Sequence, residues 1–242
     1  MPSLSCQITT ITFDADETLW AFDAAQRRAF QCALIEMQAL VPATAGIDAS
    51  DLRRIQATFV ASADPRASWE ARRLDAFRRT LARFDAADDT LAQRLTATYL
   101  RVRYDSIELF DDVDPVLATL RPGYTLGIIS NGNTRAGRCG CPDLFDLELY
   151  AEDFDGVSKP GRRMFDAAMA ASACSPRELL HVGDSLANDV AGALGVGAAA
   201  VWLNRAARPR ASAVVPTHEI RSLTELPALL GVPHLATDGS TP

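Results

Sequence analysis

The pattern of apolar and polar positions divides the chain into three parts. An apolar, β-branched run from Ile8 to Phe13 predicts a buried strand near the start. From Phe22 to Tyr104 the chain is rich in Ala, Arg, Leu and Gln, which predicts helices. The four expected helices are Asp23 to Leu40, Ala49 to Ala61, Ala67 to Phe84 and Asp88 to Tyr104. Because they follow a single strand, they are expected to form an inserted second domain or lid.

After Asp105, strand-like and helix-like segments alternate. The expected strands are Tyr124 to Ile129, Leu147 to Tyr150, Leu179 to Val182 and Ala198 to Leu203. The expected helices are Pro115 to Leu120, Arg162 to Ala171, with Pro160 in its first turn, and Ala187 to Leu194. Such alternation predicts an α/β fold with a doubly wound parallel sheet and right-handed crossovers. The expected division is a core of residues 1–20 and 106–242 and a helical insert of residues 21–105.

Two segments do not follow this alternation. Arg135 to Cys141 lies where a helix is expected, but its glycines make it a poor helix former. Gly231 to Pro242 predicts a loose tail.

Polar groups follow four of the predicted strands at the point where each strand ends. They are Asp14 and Asp16, then Ser130, Asn131 and Gly132, then Lys159, then Asp184 and Asp189. Because parallel strands end at one edge of a sheet, these residues are expected to lie together. Carboxylates are hard oxygen ligands suited to Mg²⁺, and the Ser130 hydroxyl and the amides of Asn131 and Gly132 can donate to an anion. Lys159 adds a positive charge that offsets phosphate and carboxylates.

The net charge of −7 argues against nucleic acid or an anionic membrane as a partner. The longest apolar region, Ala191 to Leu203, is too short to span a bilayer. The N-terminus lacks a basic segment followed by an apolar core, so no secretory signal is expected. The five cysteines lack the spacing of a disulfide framework, which favours a reduced, cytoplasmic location.

Four motifs resemble, in chain order, those of the haloacid dehalogenase (HAD) superfamily. They are Phe13-Asp14-Ala15-Asp16-Glu17-Thr18-Leu19, Ser130-Asn131-Gly132, Ser158-Lys159-Pro160 and Gly183-Asp184-Ser185-Leu186-Ala187-Asn188-Asp189. The resemblance extends over essentially the whole chain. It implies a Rossmann-like core, and the helical insert is similar to the all-helical cap of that superfamily.

The resemblance implies a mechanism for phosphate ester hydrolysis. Asp14 would attack phosphorus as the nucleophile and form an aspartyl-phosphate. Asp16 would protonate the leaving oxygen and then deprotonate the hydrolytic water. Ser130 and Lys159 would hold the phosphoryl group. The implied Mg²⁺ ligands are Asp14, the backbone carbonyl of Asp16 and Asp184, with Asp189 supporting directly or through water.

The resemblance also separates two reactions. Dehalogenases of the superfamily lack the second acidic residue, so Asp16 argues for a phosphatase acting on a small phosphorylated metabolite. The first motif resembles that of bacterial pyrimidine nucleotidases, and later segments resemble relatives that dephosphorylate flavin mononucleotide and its ribityl precursor. A nucleotide-like phosphomonoester is therefore the favoured substrate class. A 2-haloacid dehalogenase and a non-catalytic phosphate-binding regulatory protein stay open as alternatives, as does the oligomeric state.

Several other residues have a structural and a functional interpretation. His181 is expected to be a packed core histidine, and Cys139 and Cys141 are expected to be incidental thiols. Trp69 and Arg73 share one face of the third insert helix, beside Arg72, and could contact substrate. Core packing of the tryptophan and solvent exposure of the two arginines are the favoured alternative.

Overall fold

In the computed structural model, which describes residues 7–139, 143–210 and 212–232, six strands form one parallel sheet. The strands are β1 Thr10–Phe13, β2 Thr125–Ser130, β3 Leu147–Tyr150, β4 Leu179–Gly183, β5 Ala199–Leu203 and β6 His218–Ile220. Their order is β3-β2-β1-β4-β5-β6, so the strand order reverses on either side of β1. Ligands of such sheets bind at this reversal, beyond the carboxyl ends of the strands. The predicted doubly wound α/β sheet is confirmed.

Eight α-helices lie in the described part of the chain. They are α1 Phe22–Leu40, α2 Ala49–Ala61, α3 Trp69–Arg83, α4 Asp89–Asp105, α5 Val113–Leu120, α6 Arg162–Ala171, α7 Ala191–Gly195 and α8 Leu226–Leu229. Within the described ranges, no helix is both long and apolar enough to cross a membrane. The four insert helices form as predicted, and side chains at Asp48, Ser68 and Asp88 cap the N-termini of α2, α3 and α4.

Some sequence-based expectations were wrong or incomplete. The expected helix from Ala187 begins instead as a π-helical turn, Leu186–Val190, before α7. Pro160 lies outside α6, because Gly161 is the N-cap of that helix. The short elements β6 and α8 were not predicted. Between Arg135 and Cys139 the chain forms only a 3₁₀ turn, and residues 140–142 and 233–242 lie outside the described residues.

The helical insert has an apolar core of its own. Its largest buried members are Phe30, Met37, Leu52, Phe77, Leu81 and Tyr99. Two further apolar clusters pack against the sheet. The two connecting segments are bonded to each other, from Ala21 N–H to Glu108 O and from Phe110 N–H to Leu19 O. A separate core supports the division at residues 20/21 and 105/106, which stays a prediction.

The carboxylate of Asp112 ties the start of α5 to the far end of the chain. Its two oxygens each accept a hydrogen bond from the guanidinium of Arg205 at 2.8 Å. Its Oδ2 also accepts from Ser222 Oγ at 2.8 Å and from Leu223 N–H at 2.9 Å. Although burial raises the pKa of Asp112, these hydrogen bonds outweigh it and hold the pKa below its ordinary value.

We expect Asp112→Asn to lower the free energy of unfolding at pH 7 by about 1.5 to 3 kcal/mol, because it loses charge-assisted hydrogen bonds. The stabilisation by Asp112 is present above the unfolded-state pKa of about 3.9 and is lost as pH falls through the lower folded-state pKa. Urea unfolding of the wild type and of Asp112→Asn, from pH 7 down to below the folded-state pKa, measures the difference in the free energy of unfolding. Asp114→Asn, at an exposed position of α5, is the matched control. Equal stability of wild type and Asp112→Asn at pH 7 would contradict this assignment.

Candidate active site

Three of the predicted acidic residues meet at the carboxyl edge of the sheet. Asp14 follows β1, and its N–H donates to Val182 O on β4 at 2.8 Å. Asp184 follows β4, and Asp189 lies in the π-helical turn. One carboxylate oxygen from each of the three lies within 4.8 Å of the others. Such a set of hard oxygen donors fits a divalent cation of the Mg²⁺ type.

Within the described residues, the ammonium of Lys159 is the only side-chain ammonium that lies among these carboxylates. Its Nζ lies 2.6 Å from Asp14 Oδ1 and 2.8 Å from Asp189 Oδ1, and it also donates to the carbonyl of Ile129. These contacts use all three N–H groups of the ammonium. Burial lowers the pKa of Lys159, but the two carboxylates outweigh burial and raise the pKa overall. Lys159 is therefore charged in this site.

The acidic cluster carries more negative charge than its protein neighbours neutralise. Burial raises the pKa of Asp14 well above its ordinary value, with Lys159 opposing. Burial, followed by repulsion from Asp189, raises the pKa of Asp184 to about 6. Asp189 differs, because attraction from Lys159 and the bond to His181 outweigh burial and lower its pKa. Asp14 and Asp189 are buried and Asp184 is half-buried, and the cations beside them are Lys159 and Arg208, which lies 3.5 Å from Asp184. Three carboxylates against two cations favour binding of a further cation.

The loops after β2 and β3 are joined by a reciprocal pair of hydrogen bonds. The N–H of Lys159 donates to Asn131 Oδ1 at 2.7 Å, and Asn131 Nδ2 donates to the carbonyl of Lys159 at 3.0 Å. The Asn131 side chain therefore positions Lys159. On the same loop, the N–H of Gly132 donates to Ser130 Oγ at 3.0 Å, so this amide has a protein partner.

Asp16 lies beside this cluster but outside it. Its Oδ1 accepts a hydrogen bond from Trp20 Nε1 at 2.8 Å. A Cβ atom on Gly132 would lie 2.6 Å from Asp16 Oδ2, so a larger residue here would displace the Asp16 carboxylate or the loop. Burial raises the pKa of Asp16 to about 6, while the hydrogen bond from Trp20 opposes the rise. Asp16 can therefore hold or release a proton near neutral pH.

His181 is a buried core residue, as the sequence predicted. Its ring lies edge-on to Phe165, with Nδ1 2.9 Å from Thr12 Oγ1 and Nε2 3.4 Å from Asp189 Oδ1. Burial lowers the pKa of His181 despite the bond to Asp189. The histidine thus supports Asp189 from beneath, while the N–H of Ser185 donates to Asp189 Oδ2 at 2.8 Å.

The insert contributes residues that the sequence interpretation placed wrongly or did not name. Arg73 is buried, so its expected solvent exposure is wrong. Trp69 is half-buried and lines the cleft, with the Arg72 guanidinium 4.2 Å from its ring. The N–H of Trp69 donates to Glu152 Oε1 on the core at 2.6 Å. Arg103 was not named, although it lies four residues after the buried Tyr99 on α4 and so continues the buried face.

Comparison with known proteins places this arrangement in a family. The sequence profile of the haloacid dehalogenase-like hydrolases matches residues 8–197. The chain is 36% identical to pyrimidine 5'-nucleotidase YjjG of Escherichia coli over 121 residues, which are 48% of this chain and 53% of the nucleotidase. It is 30% identical to 5-amino-6-(5-phospho-D-ribitylamino)uracil phosphatase YigB of Escherichia coli, over 91% of this chain and 92% of that protein.

A solved structure agrees with these sequence matches. The 2-haloacid dehalogenase from Pseudomonas syringae pv. Tomato DC3000 superimposes with a TM-score of 0.77 at 30% identity, covering 93% of this chain and 98% of that one. The nucleotidase match spans about half the length of that relative, whereas the profile, the uracil phosphatase and this structure each match most of the chain. The chain belongs to the haloacid dehalogenase-like hydrolases.

Proposed function

We propose that this protein is a Mg²⁺-dependent phosphomonoester hydrolase that works through an aspartyl-phosphate. The observation that carries the proposal is the placement of Asp16. It is a half-buried carboxyl group next to the acidic cluster, bonded to Trp20, with a pKa of about 6. A phosphate ester with an alkoxide leaving group needs such an acid, whereas a halide leaving group needs none. The phosphatases named above are similar proteins and support the same class.

In the proposed first step, a carboxylate oxygen of Asp14 attacks phosphorus, and the bond between phosphorus and the alcohol oxygen breaks. The leaving oxygen takes the proton of Asp16. In the second step, a water molecule gives a proton to Asp16 and attacks phosphorus, and the Asp14 carboxylate is released with inorganic phosphate. The ammonium of Lys159, 2.6 Å from Asp14, favours the ionised form that the attack requires.

The remaining residues have binding roles in this proposal. The Ser130 hydroxyl, the Asn131 and Gly132 amides and Lys159 bind the phosphoryl group, and for this Lys159 and the Gly132 N–H each exchange one present protein partner for a phosphoryl oxygen. The residues that would hold Mg²⁺ are Asp14, Asp184, Asp189 and the backbone carbonyl of Asp16. When bound, Mg²⁺ supplies positive charge that offsets the charge of the phosphoryl group and of the carboxylates. We assign the substrate to small phosphorylated metabolites and, from the cysteine pattern of the sequence, the protein to the cytoplasm.

Chelation of the metal tests this proposal directly. We expect hydrolysis of p-nitrophenyl phosphate with Mg²⁺. In EDTA the rate should fall by at least about 100-fold, because the carboxylates of the cluster then lack a neutralising cation. The rate should recover when Mg²⁺ is restored. Uridine monophosphate, flavin mononucleotide and sugar phosphates extend the assay towards the substrate. Phosphate binding without turnover of any of these esters would contradict the proposal and indicate a regulatory protein.

A 2-haloacid dehalogenase is the second candidate, favoured by the similarity to the Pseudomonas syringae structure. It predicts release of chloride from 2-chloropropionate that is unaffected by EDTA. We expect no chloride release, because the chain carries in Asp16 the proton donor that an alkoxide leaving group needs and a halide does not. Chloride release in EDTA together with no ester hydrolysis would reverse the assignment.

A further inference from the structure

A cavity of about 240 Å³ lies beside Asp16, between the helical insert and the loop after β2. Its floor is formed by Asp16 and by the loop residues 131–133. Its walls are the rings of Phe22 and Trp69 and two arginines, Arg73 from α3 and Arg103 from α4. The adjoining phosphate site shares Asp16, Asn131 and Gly132 with this cavity. A ligand bound at Asp14 would therefore extend into it.

Arg103 is buried without the partners that a guanidinium requires. Only 5% of the residue is exposed, and neither Nε nor Nη2 has a hydrogen-bond partner in the described protein. Its guanidinium carbon lies 4.3 Å from the ring of Tyr104 and 5.7 Å from that of Phe22. Stacking on rings orients the group but leaves the N–H groups of Nε and Nη2 unsatisfied. A buried polar group in this condition is costly and points to a missing partner.

Arg73 is the second cation at the cavity, and it is held in place. Its Nη1 donates to Gln56 Oε1 at 3.0 Å, and Gln56 Nε2 donates to Thr80 Oγ1 at 2.9 Å. The guanidinium carbon lies 4.5 Å from the ring of Tyr99. Within the described ranges, neither Arg73 nor Arg103 forms a salt bridge. The wall of the cavity therefore carries two buried positive charges with no bonded anion.

We propose that Arg73 and Arg103 bind a carboxylate of the substrate, so that the enzyme prefers small phosphorylated acids. The inference rests on the proposed function and narrows its substrate class. A carboxylate matches the planar donor fork of arginine and neutralises the buried charge. A neutral carbonyl, such as that of a nucleobase, would supply no negative charge to these two guanidinium groups. A second phosphate would bring two charges close to Asp16, which lines the same cavity.

Matched substrates test this preference without reference to a natural ligand. 3-Phosphoglycerate and glycerol 3-phosphate differ in a carboxylate against a hydroxymethyl group, as do 6-phosphogluconate and sorbitol 6-phosphate. For the wild type with Mg²⁺, we expect kcat/KM for the acid to exceed that for the alcohol by about 10- to 100-fold in at least one pair. The two acids differ in the number of carbon atoms between phosphate and carboxylate, so they sample two distances from the phosphate site to the arginines.

Variants then assign the preference to the arginines. In Arg103→Met, we expect the ratio of kcat/KM for the acid to kcat/KM for the alcohol to fall towards one. The variant should melt at the wild-type temperature or above, because it removes an unpaired buried charge. Arg101→Met, on the same helix with a side chain that is 66% exposed, should keep both the ratio and the melting temperature. If Arg103 has a purely structural role, Arg103→Met should instead have a lower melting temperature, and kcat/KM should fall equally for the acid and the alcohol.

The possible outcomes separate this inference from the proposed function. Turnover of esters without an acid preference in either pair would overturn the inference and leave the phosphatase assignment intact. A preference for uridine monophosphate that is unchanged in Arg103→Met would overturn it in favour of a nucleobase site. No turnover of any ester would overturn the proposed function, and this inference with it.

Discussion

Asp14→Asn is expected to reduce phosphatase turnover by a factor of at least about 10⁴, the scale seen when a nucleophile is removed. An amide oxygen is a poor nucleophile, and the variant also removes one of the three carboxylates of the proposed metal site. The measurement is the steady-state rate with p-nitrophenyl phosphate at saturating Mg²⁺. We also expect no covalent phosphoprotein in the variant, as measured by mass spectrometry after rapid acid quenching.

The control for Asp14→Asn must separate chemistry from folding. The amide retains the shape of the side chain but removes the ion pair with Lys159. Thermal denaturation therefore has to show a folded variant. Asp105→Asn makes the same chemical change where the side chain is 67% exposed, and it should leave turnover unchanged. If folded Asp14→Asn keeps more than about a tenth of the wild-type rate, Asp14 is not the nucleophile.

Asp16→Asn is expected to act differently on good and poor leaving groups. Without the acid, formation of the aspartyl-phosphate from an alkyl phosphate should slow by about 10² to 10⁴-fold. p-Nitrophenolate leaves without a proton, so its release should slow far less. Because Asp16 is also the proposed base of the second step, the phosphorylated enzyme should accumulate. Stopped-flow measurement should therefore show a burst of p-nitrophenolate followed by a slow steady state.

The pH dependence of the wild type should agree with this role. The pKa of Asp16 is about 6, and the first step needs its protonated form. For glycerol 3-phosphate, kcat/KM should therefore fall as pH rises above about 6, in proportion to the protonated fraction. The same decline should be weaker with p-nitrophenyl phosphate. Equal losses for both substrates in Asp16→Asn, and parallel pH profiles, would show that Asp16 is not the general acid.

Local patterning accounts for most of the fold and for the positions of the acidic groups. The strand from Ile8 to Phe13 and the expected helices appear with ends shifted by only a few residues, apart from the π-helical start at Leu186. The elements that patterning missed, β6 and α8, have three and four residues. Such short elements have little periodicity of their own, because hydrogen bonds and packing from distant segments stabilise them.

The meeting of Asp14, Lys159, Asp184 and Asp189 was determined by the sequence, through one topological rule. Each residue follows a parallel strand or lies in the turn after one, and such strands end at one edge. The rule says nothing about individual hydrogen bonds. That Asn131 positions Lys159, and that Trp20 holds Asp16, depended on loop conformations that only the folded chain defines.

The orientation of the insert's arginines was decided by tertiary structure alone. Arg73 and Arg103 occupy the buried faces of α3 and α4, four residues from Phe77 and Tyr99. In a single helix, an arginine at such a position can extend to solvent or turn inward, because its long side chain reaches past apolar neighbours. Packing of α4 against α1 and α3, beside the cavity at Asp16, buries both guanidinium groups. The sequence thus determined the fold and the acidic edge of the sheet, and the contact between insert and core decided what faces that edge.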